Sequence, residues 1–172
     1  MTVKIIKGDM VASYKNNELD AYAHQCNCFC TMKRGIAPLL AKANPDVRKV
    51  DNETVEGDKG KLGDFSVAET KGFPLLFNIY GQYHWSMYKV APNRNTDYDA
   101  LEQGLRNVRD YLQSGIQDPI EYGVGKNTYE PTTLGLPLIG CGLAGGDWEG
   151  VVLPMIKELF YNSSVVVTIF KL

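Results

Sequence analysis

Apolar residues recur along this chain with two periods, one of strands and one of helices. VKIIKG (3–8) and LDAYAHQCN (19–27) predict strands, the first stopping at Gly8-Asp9. IAPLLAKA (36–43) predicts a short helix after Gly35, with Pro38 in its first turn, where a missing N–H costs nothing. PDVRKVDNETVEGDKGK (45–61) is polar and predicts surface loop with a short helix. GDFSVAET (63–70) and PLLFNIYG (74–81) predict paired strands, the second central because it is continuously apolar. Beyond an aromatic and polar loop, QYHWSMYKVAPNRN (82–95), Asn95-Thr96 reads as the N-cap of a helix carrying Leu101, Leu105, Val108 and Leu112 on one face. SGIQDPIEYGVGKNTYEPTT (114–133) has no periodicity and predicts a long loop. LGLPLIG (134–140) predicts a buried strand. WEGVVLPMIKELF (148–160) predicts a helix with Val152, Met155, Ile156, Leu159 and Phe160 inward, and VVVTIFKL (165–172) a terminal strand. Strands alternating with helices imply one layered α/β domain over residues 1–172.

Composition narrows the function classes. The 172 residues are 44% hydrophobic, enough for one well-covered core and short for two. With 18 basic and 20 acidic residues the charge nearly cancels, so no nucleic-acid partner is expected. No stretch has signal-peptide or membrane length, and the 4 cysteines lack a disulfide framework's spacing. The expectation is a soluble protein of the cytoplasm, or of the host cytoplasm if phage-encoded, with no membrane partner.

Two segments share one design: strand, glycine-containing loop, helix. HQCNCFCTMKRG leads into the helix at Ile36, and GCGLAGGD into the helix near Trp148. A loop feeding a helix N-terminus presents free N–H groups, which suit phosphate. Two such loops at neighbouring strand ends could grip a pyrophosphate; tight turns alone would also explain glycines. Neither loop has the spacing of a Walker A loop or a dinucleotide-binding turn.

KGD near the start, then HQCN…RGIA, NIYGQ, LPLIGCGLAGGDW and the terminal aliphatic-aromatic strand together resemble a macro domain across nearly the whole chain. The likeness is to the branch of ADP-ribose 1''-phosphate phosphatases, protein ADP-ribose hydrolases and phage homologues. It implies a three-layer α/β/α fold with a mixed central sheet and an ADP-ribose cleft crossed by the two loops. It further implies that Asp9 accepts the adenine amino group with the Met10 backbone beside it, and that Asn27 holds the distal ribose. Gly35 and Ile36 would form one phosphate loop, with Lys33 standing where many relatives have glycine. Gly140, Cys141, Gly142, Leu143, Ala144 and Gly145 would form the other, and Phe170 would lie near the adenine. One hydrolase group uses a lysine after the NIYG-type strand and an aspartate after GCGL. Those positions here hold Gly81 or Gln82 and Ala144, which sets a covalent lysine mechanism aside. His24 matches a histidine implicated in the phosphatase group.

The catalytic candidates are therefore His24, Asn27 and Asp147, each with a plainer reading. His24 sits in an apolar strand end and could be an ordinary core histidine. Asp147 precedes a helix and could be only its N-cap, and Asp9 could be a turn residue. C-x-C-x-C at Cys26, Cys28 and Cys30 is not a usual zinc spacing, so neither a metal nor a cofactor is expected. Tyr80, Tyr83, Trp85 and Tyr88 form an aromatic cluster that either packs the sheet edge or walls a ligand. The expected ligand is ADP-ribose or ADP-ribose 1''-phosphate, with ADP-ribosylated proteins as further partners. Two readings stay open: hydrolysis of such a derivative, with release of phosphate or of ADP-ribose, or binding without turnover.

Overall fold

All six residues of the strand Leu75–Tyr80 are buried, so this part of the sheet must be covered on both faces. The computed structural model describes residues 3–86, 88–115 and 132–172. In chain order the elements are β1 (Val3–Lys7), α1 (Met10–Lys15), β2 (Ala21–Cys26), α2 (Ala37–Ala43), α3 (Asp46–Asn52), β3 (Phe65–Ala68) and β4 (Leu75–Tyr80). Then follow α4 (Tyr98–Gly115), β5 (Thr132–Leu136), α5 (Leu153–Phe160) and β6 (Val165–Lys171). The sheet runs β1-β6-β5-β2-β4-β3. Its first five strands are mutually parallel, and only the edge strand β3 is antiparallel. The sheet is thus mixed, as expected, and it places the two terminal strands, β1 and β6, side by side.

Strand alternation sorts the side chains into two cores. Ala21, Ala23, Leu75, Phe77, Ile79, Val167 and Ile169 pack under Leu101, Leu105 and Val108 of α4 and Ile156 and Phe160 of α5. The intervening positions, Tyr22, Cys26, Leu76, Tyr80 and Phe170, pack under Met10 and Tyr14 of α1, Leu40 of α2 and Val47 of α3. Helices on both faces give the three-layer α/β/α arrangement.

Several boundaries differ from the sequence reading. α1 was not anticipated, because six residues are too few to show a period; its start is fixed by Asp9, whose carboxylate accepts from Val11 N at 2.9 Å. The polar 45–61 stretch holds α3 and a 3-10 turn, Lys59–Lys61. The cap of α4 is Asp97, which accepts from Ala100 N, and not Asn95-Thr96, whose backbone amides instead reach Ala144 O. β5 begins at Thr132 and ends before Pro137, which cannot donate to a ladder. The final helix opens with a π turn, Trp148–Val152, closed by Val152 N on Asp147 O. Of the long loop read over 114–133, residues 116–131 lie outside the described residues.

One buried polar pair sits in the α1–α3 face. His24 and Asn78, on paired strands β2 and β4, are both fully buried and lie 2.6 Å apart (Nε2 to Oδ1). Asn78 Nδ2 donates to Val47 O and Ser66 Oγ, which turns its Oδ1 to the histidine. His24 therefore carries its proton on Nε2, and Nδ1 keeps a bare lone pair. Burial pulls the imidazole from its ordinary 6.5 to about 4, the Asn78 bond opposing only in part.

Two outcomes are expected. A Cβ on Gly104 in α4 would overlap Ile79 Cγ2 in β4. Gly104→Ala should cost about 1–3 kcal/mol by overpacking. In an Ile79→Ala background the same change should instead stabilise by up to about 1 kcal/mol, the helix-propensity gain. Urea unfolding of the four proteins checks the sign change, and a cost unaltered by Ile79→Ala contradicts it. For His24, the unfolded chain takes up a proton below pH 6.5 that the folded chain refuses until about 4. Stability should therefore fall with acidification in that window by about 1.4 kcal/mol per pH unit, relative to His24→Gln. Parallel stability–pH curves for the two proteins would remove the buried neutral histidine.

Candidate functional site

The five parallel strands all end on one edge, and each delivers residues to a single cleft of about 640 Å³ there. β1 supplies Gly8 to Val11, β2 His24 and Gln25, β4 Gln82, β5 the run from Pro137 to Ala144, and β6 Phe170 to Leu172. The β2–α2 loop adds Arg34 to Ala37. Carboxyl ends of parallel strands are where α/β sheets place ligands, because the connections there splay apart.

The two glycine loops carry the polar chemistry of this cleft in their backbones. The N–H groups of Gly142, Leu143 and Ala144 make no hydrogen bond among the described residues, nor do those of Gly35, Ile36 and Ala37. Successive free amides of this kind form an anion-binding concavity. The loop between β5 and α5 is pinned from behind, where Thr96 Oγ1 donates to Gly140 O at 2.6 Å and Asn95 N to Ala144 O at 2.8 Å. Thr96 is itself held by Gln25, whose Nε2 donates to Thr96 Oγ1 and to Gln82 Oε1, both at 2.9 Å. Gln82 in turn donates to His84 O, which fixes the orientation of both amides.

The loop's four glycines have different reasons. Gly140 and Gly145 take left-handed backbone, with φ of 73° and 77°. A Cβ on Gly145 would run into Asn93 O, and one on Gly146 would stand 2.5 Å from Gly140 O. Gly142 is different: a Cβ there meets nothing within 4 Å among the described residues, and its φ is not left-handed. Nothing in the packing of the described residues asks for glycine at 142.

Asp9, Met10, His24, Gly35, Ile36, Gly140, Cys141, Gly142, Leu143, Ala144 and Phe170 come together in the cleft wall. Asp9 spends one carboxylate oxygen on capping α1, and Phe170, 7% exposed, packs its ring 6.3 Å from Tyr22. Burial holds the Cys141 thiol protonated, pushed up to about 12, which suits it to packing more than to nucleophilic attack. Asn27, Lys33, Gly145 and Asp147 do not line the cleft. Asn27 is engaged within its own loop, donating to Thr31 O and Oγ1 and accepting from Phe29 N. Asp147 caps the π turn through Gly150 N at 2.9 Å, and Lys33 is exposed. Sequence reasoning missed Arg34, Gln25 and Gln82. Arg34 was legible as a basic residue beside Gly35, but only the loop's path turns the wall toward it and not toward Lys33. The aromatic group proves to be Phe29, Tyr83, His84, Trp85 and Tyr88, with His84 stacked on Trp85 at 3.7 Å, while Tyr80 lies buried in the core. No group of three His, Cys, Asp or Glu side chains among the described residues could hold a metal.

No family model matches the chain. The 17.5 kDa protein of the tk-vs intergenic region of Enterobacteria phage T4 is 33% identical over 151 residues, spanning 87% of this chain and 84% of that one. The human ADP-ribose glycohydrolase OARD1 is 28% identical over 171 residues, spanning 99% and 91%. Among solved structures, the macrodomain of Thermus aquaticus DarG superposes with a TM-score of 0.68 at 19% identity, over 99% of this chain and 98% of that one. With the layered fold, the strand order and the paired glycine loops, these likenesses establish that the chain belongs to the macro domain family.

Proposed function

We propose that the cleft binds ADP-ribose, with the pyrophosphate held by the free amides of residues 142–144 and 35–37. The observation that carries this reading is the combination of those amides with a glycine at 142 that the fold itself does not need. Asp9 and Met10, beside Phe170, would take the adenine end, and Arg34, which lines the cleft next to Gly35, would add a cation to the phosphates. The human relative's activity on ADP-ribose agrees with this ligand class. A cleft of about 640 Å³ falls within the size range of small-molecule sites.

A second reading, hydrolysis at the distal ribose with ADP-ribose 1''-phosphate as the favoured substrate, rests on His24. The residue lines the cleft while its ring lies buried directly behind that wall, with Nε2 on Asn78 and Nδ1 without a hydrogen-bond partner among the described residues, the one catalytic candidate whose side chain is not consumed by its own loop. A phosphate monoester needs a positioned water, a proton acceptor and donors for the phosphoryl oxygens. His24 Nδ1 and the loop amides would supply the last two. The lysine and aspartate of a covalent route are not expected here, because the matching positions in the sequence hold Gly81 or Gln82 and Ala144.

Calorimetry with free ADP-ribose tests the binding. Gly142→Val should abolish it while leaving unfolding free energy within about 0.5 kcal/mol. Gly145→Ala should lose about 1–3 kcal/mol of stability, from a strained φ and a backbone clash. No heat from the wild type at millimolar ligand ends the proposal; loss of stability in Gly142→Val gives the glycine a structural role. For turnover, phosphate release from ADP-ribose 1''-phosphate is measured with chelator present. His24→Ala should bind ADP-ribose normally and turn over about 10²–10⁴-fold more slowly. A wild type that binds ADP-ribose and releases no product from that substrate or from ADP-ribosylated protein leaves a binding module.

A further inference from the structure

On the α1–α3 face, behind the loop that follows β2, Lys61 is buried with no ion pair at its ammonium among the described residues. Its side chain is enclosed, the residue being 8% exposed, and among the described residues no carboxylate oxygen lies within 4.0 Å of Nζ. The nearby Asp51 is also buried, and its Oδ1 is taken by the Tyr80 hydroxyl at 2.7 Å. Nζ instead donates to Cys28 O at 3.1 Å, lies 4.6 Å from the centre of the Tyr80 ring, and stands 3.7 Å from Cys30 Sγ. Burying an ammonium with one carbonyl and two soft neighbours is costly, and the proposed function does not use it.

The three alternating cysteines divide sharply around this amine. Cys26 Sγ lies 3.5 Å from His24 Nε2 and is buried, and burial raises its thiol well above the ordinary range. Cys28 is fully buried, its Sγ turned to Gln82 O at 3.5 Å, and burial pushes it up to about 11. Cys30 alone is partly exposed. Its backbone takes the left-handed φ of 56°, and its sulfur is held by Asp51 O at 3.3 Å and Thr54 Oγ1 at 3.5 Å. The sulfur of a partly exposed cysteine is thus fixed beside a buried amine, each on a different segment of chain.

We propose that Cys30 and Lys61 are a modification site at which peroxide drives a covalent sulfur–nitrogen bridge between the β2–α2 loop and the 3-10 turn. Hydrogen peroxide first oxidises the Cys30 thiol: the sulfur takes one peroxide oxygen, the O–O bond breaks, and one water leaves with a sulfenic acid. Lys61 Nζ, having given one proton to solvent, then attacks that sulfur. The S–N bond forms, the S–O bond breaks, and the hydroxyl departs as a second water with a proton from the amine. Sulfenic acids condense with nitrogen nucleophiles in this way, and a thiol reverses the bridge by attack at sulfur.

The test treats the folded protein with peroxide and measures intact mass and linked peptides under denaturing conditions. The expected product is about 2 Da lighter than the reduced chain, contains Cys30 joined to Lys61, and returns to the starting mass with dithiothreitol. Cys30→Ser and Lys61→Met should each abolish it, and Cys28→Ser should leave it in place. A loss of about 2 Da that survives Lys61→Met is a disulfide and overturns the proposal. So does a Cys30 sulfenic acid that persists and is trapped by a carbon nucleophile in the wild type. Because peptide mapping of the wild type locates the bridge directly, the outcome stands even where Lys61→Met fails to fold.

Discussion

The parallel order of β1, β6, β5, β2 and β4 is the constraint from which the site follows. Parallel neighbours cannot be joined by a tight hairpin, so the chain crosses a face of the sheet between them and must bury apolar residues there. Every strand then points the same way, and five carboxyl ends gather on one edge. Covering both faces leaves that edge open, and the cleft of about 640 Å³ occupies it. The antiparallel β3 closes the far side without contributing to the cleft.

Within that frame, the second glycine loop works because its two sides have different duties. Gly140, Gly145 and Gly146 let the backbone fold back on itself and on residues 93–96, where Thr96 and Asn95 hold it. This leaves the amides of 142–144 without an acceptor among the described residues. A preorganised set of donors gives up no protein hydrogen bond when an anion arrives, which is what makes a backbone cradle effective. The Gln25–Thr96–Gly140 chain extends this rigidity to β2, so both loops are tied to the same strand end.

The polar groups under the other face show the cost of such a layered core. His24, Asn78 and Asp51 are buried among Tyr22, Tyr80 and Leu76. Asn78 spends three hydrogen bonds in linking β2 to β3 and α3, and His24 is held neutral as a result of burial. Lys61, Cys26, Cys28 and Cys30 lie in the same layer.

Periodicity alone determined the strands, the α4 and α5 faces and the layered class, since apolar alternation reports burial directly. The two loops were also legible, because four glycines between a buried strand and a helix exceed what a turn needs. Linear spacing says nothing about direction, and that is where the reading stopped. Whether Lys33 or Arg34 faces the cleft depends on the path of one loop, as does the engagement of Asn27 with Thr31 in place of a ligand. Likewise, Asp147 became a cap because a π turn brings Gly150 N to its carboxylate. The short α1 carries no period, only its cap. Lys61 and Cys30, separated by 31 residues, meet only because β3 and β4 fold back beside the β2–α2 loop. Local pattern sets what each segment must bury; which side chains then face one another is decided by packing between segments distant in sequence.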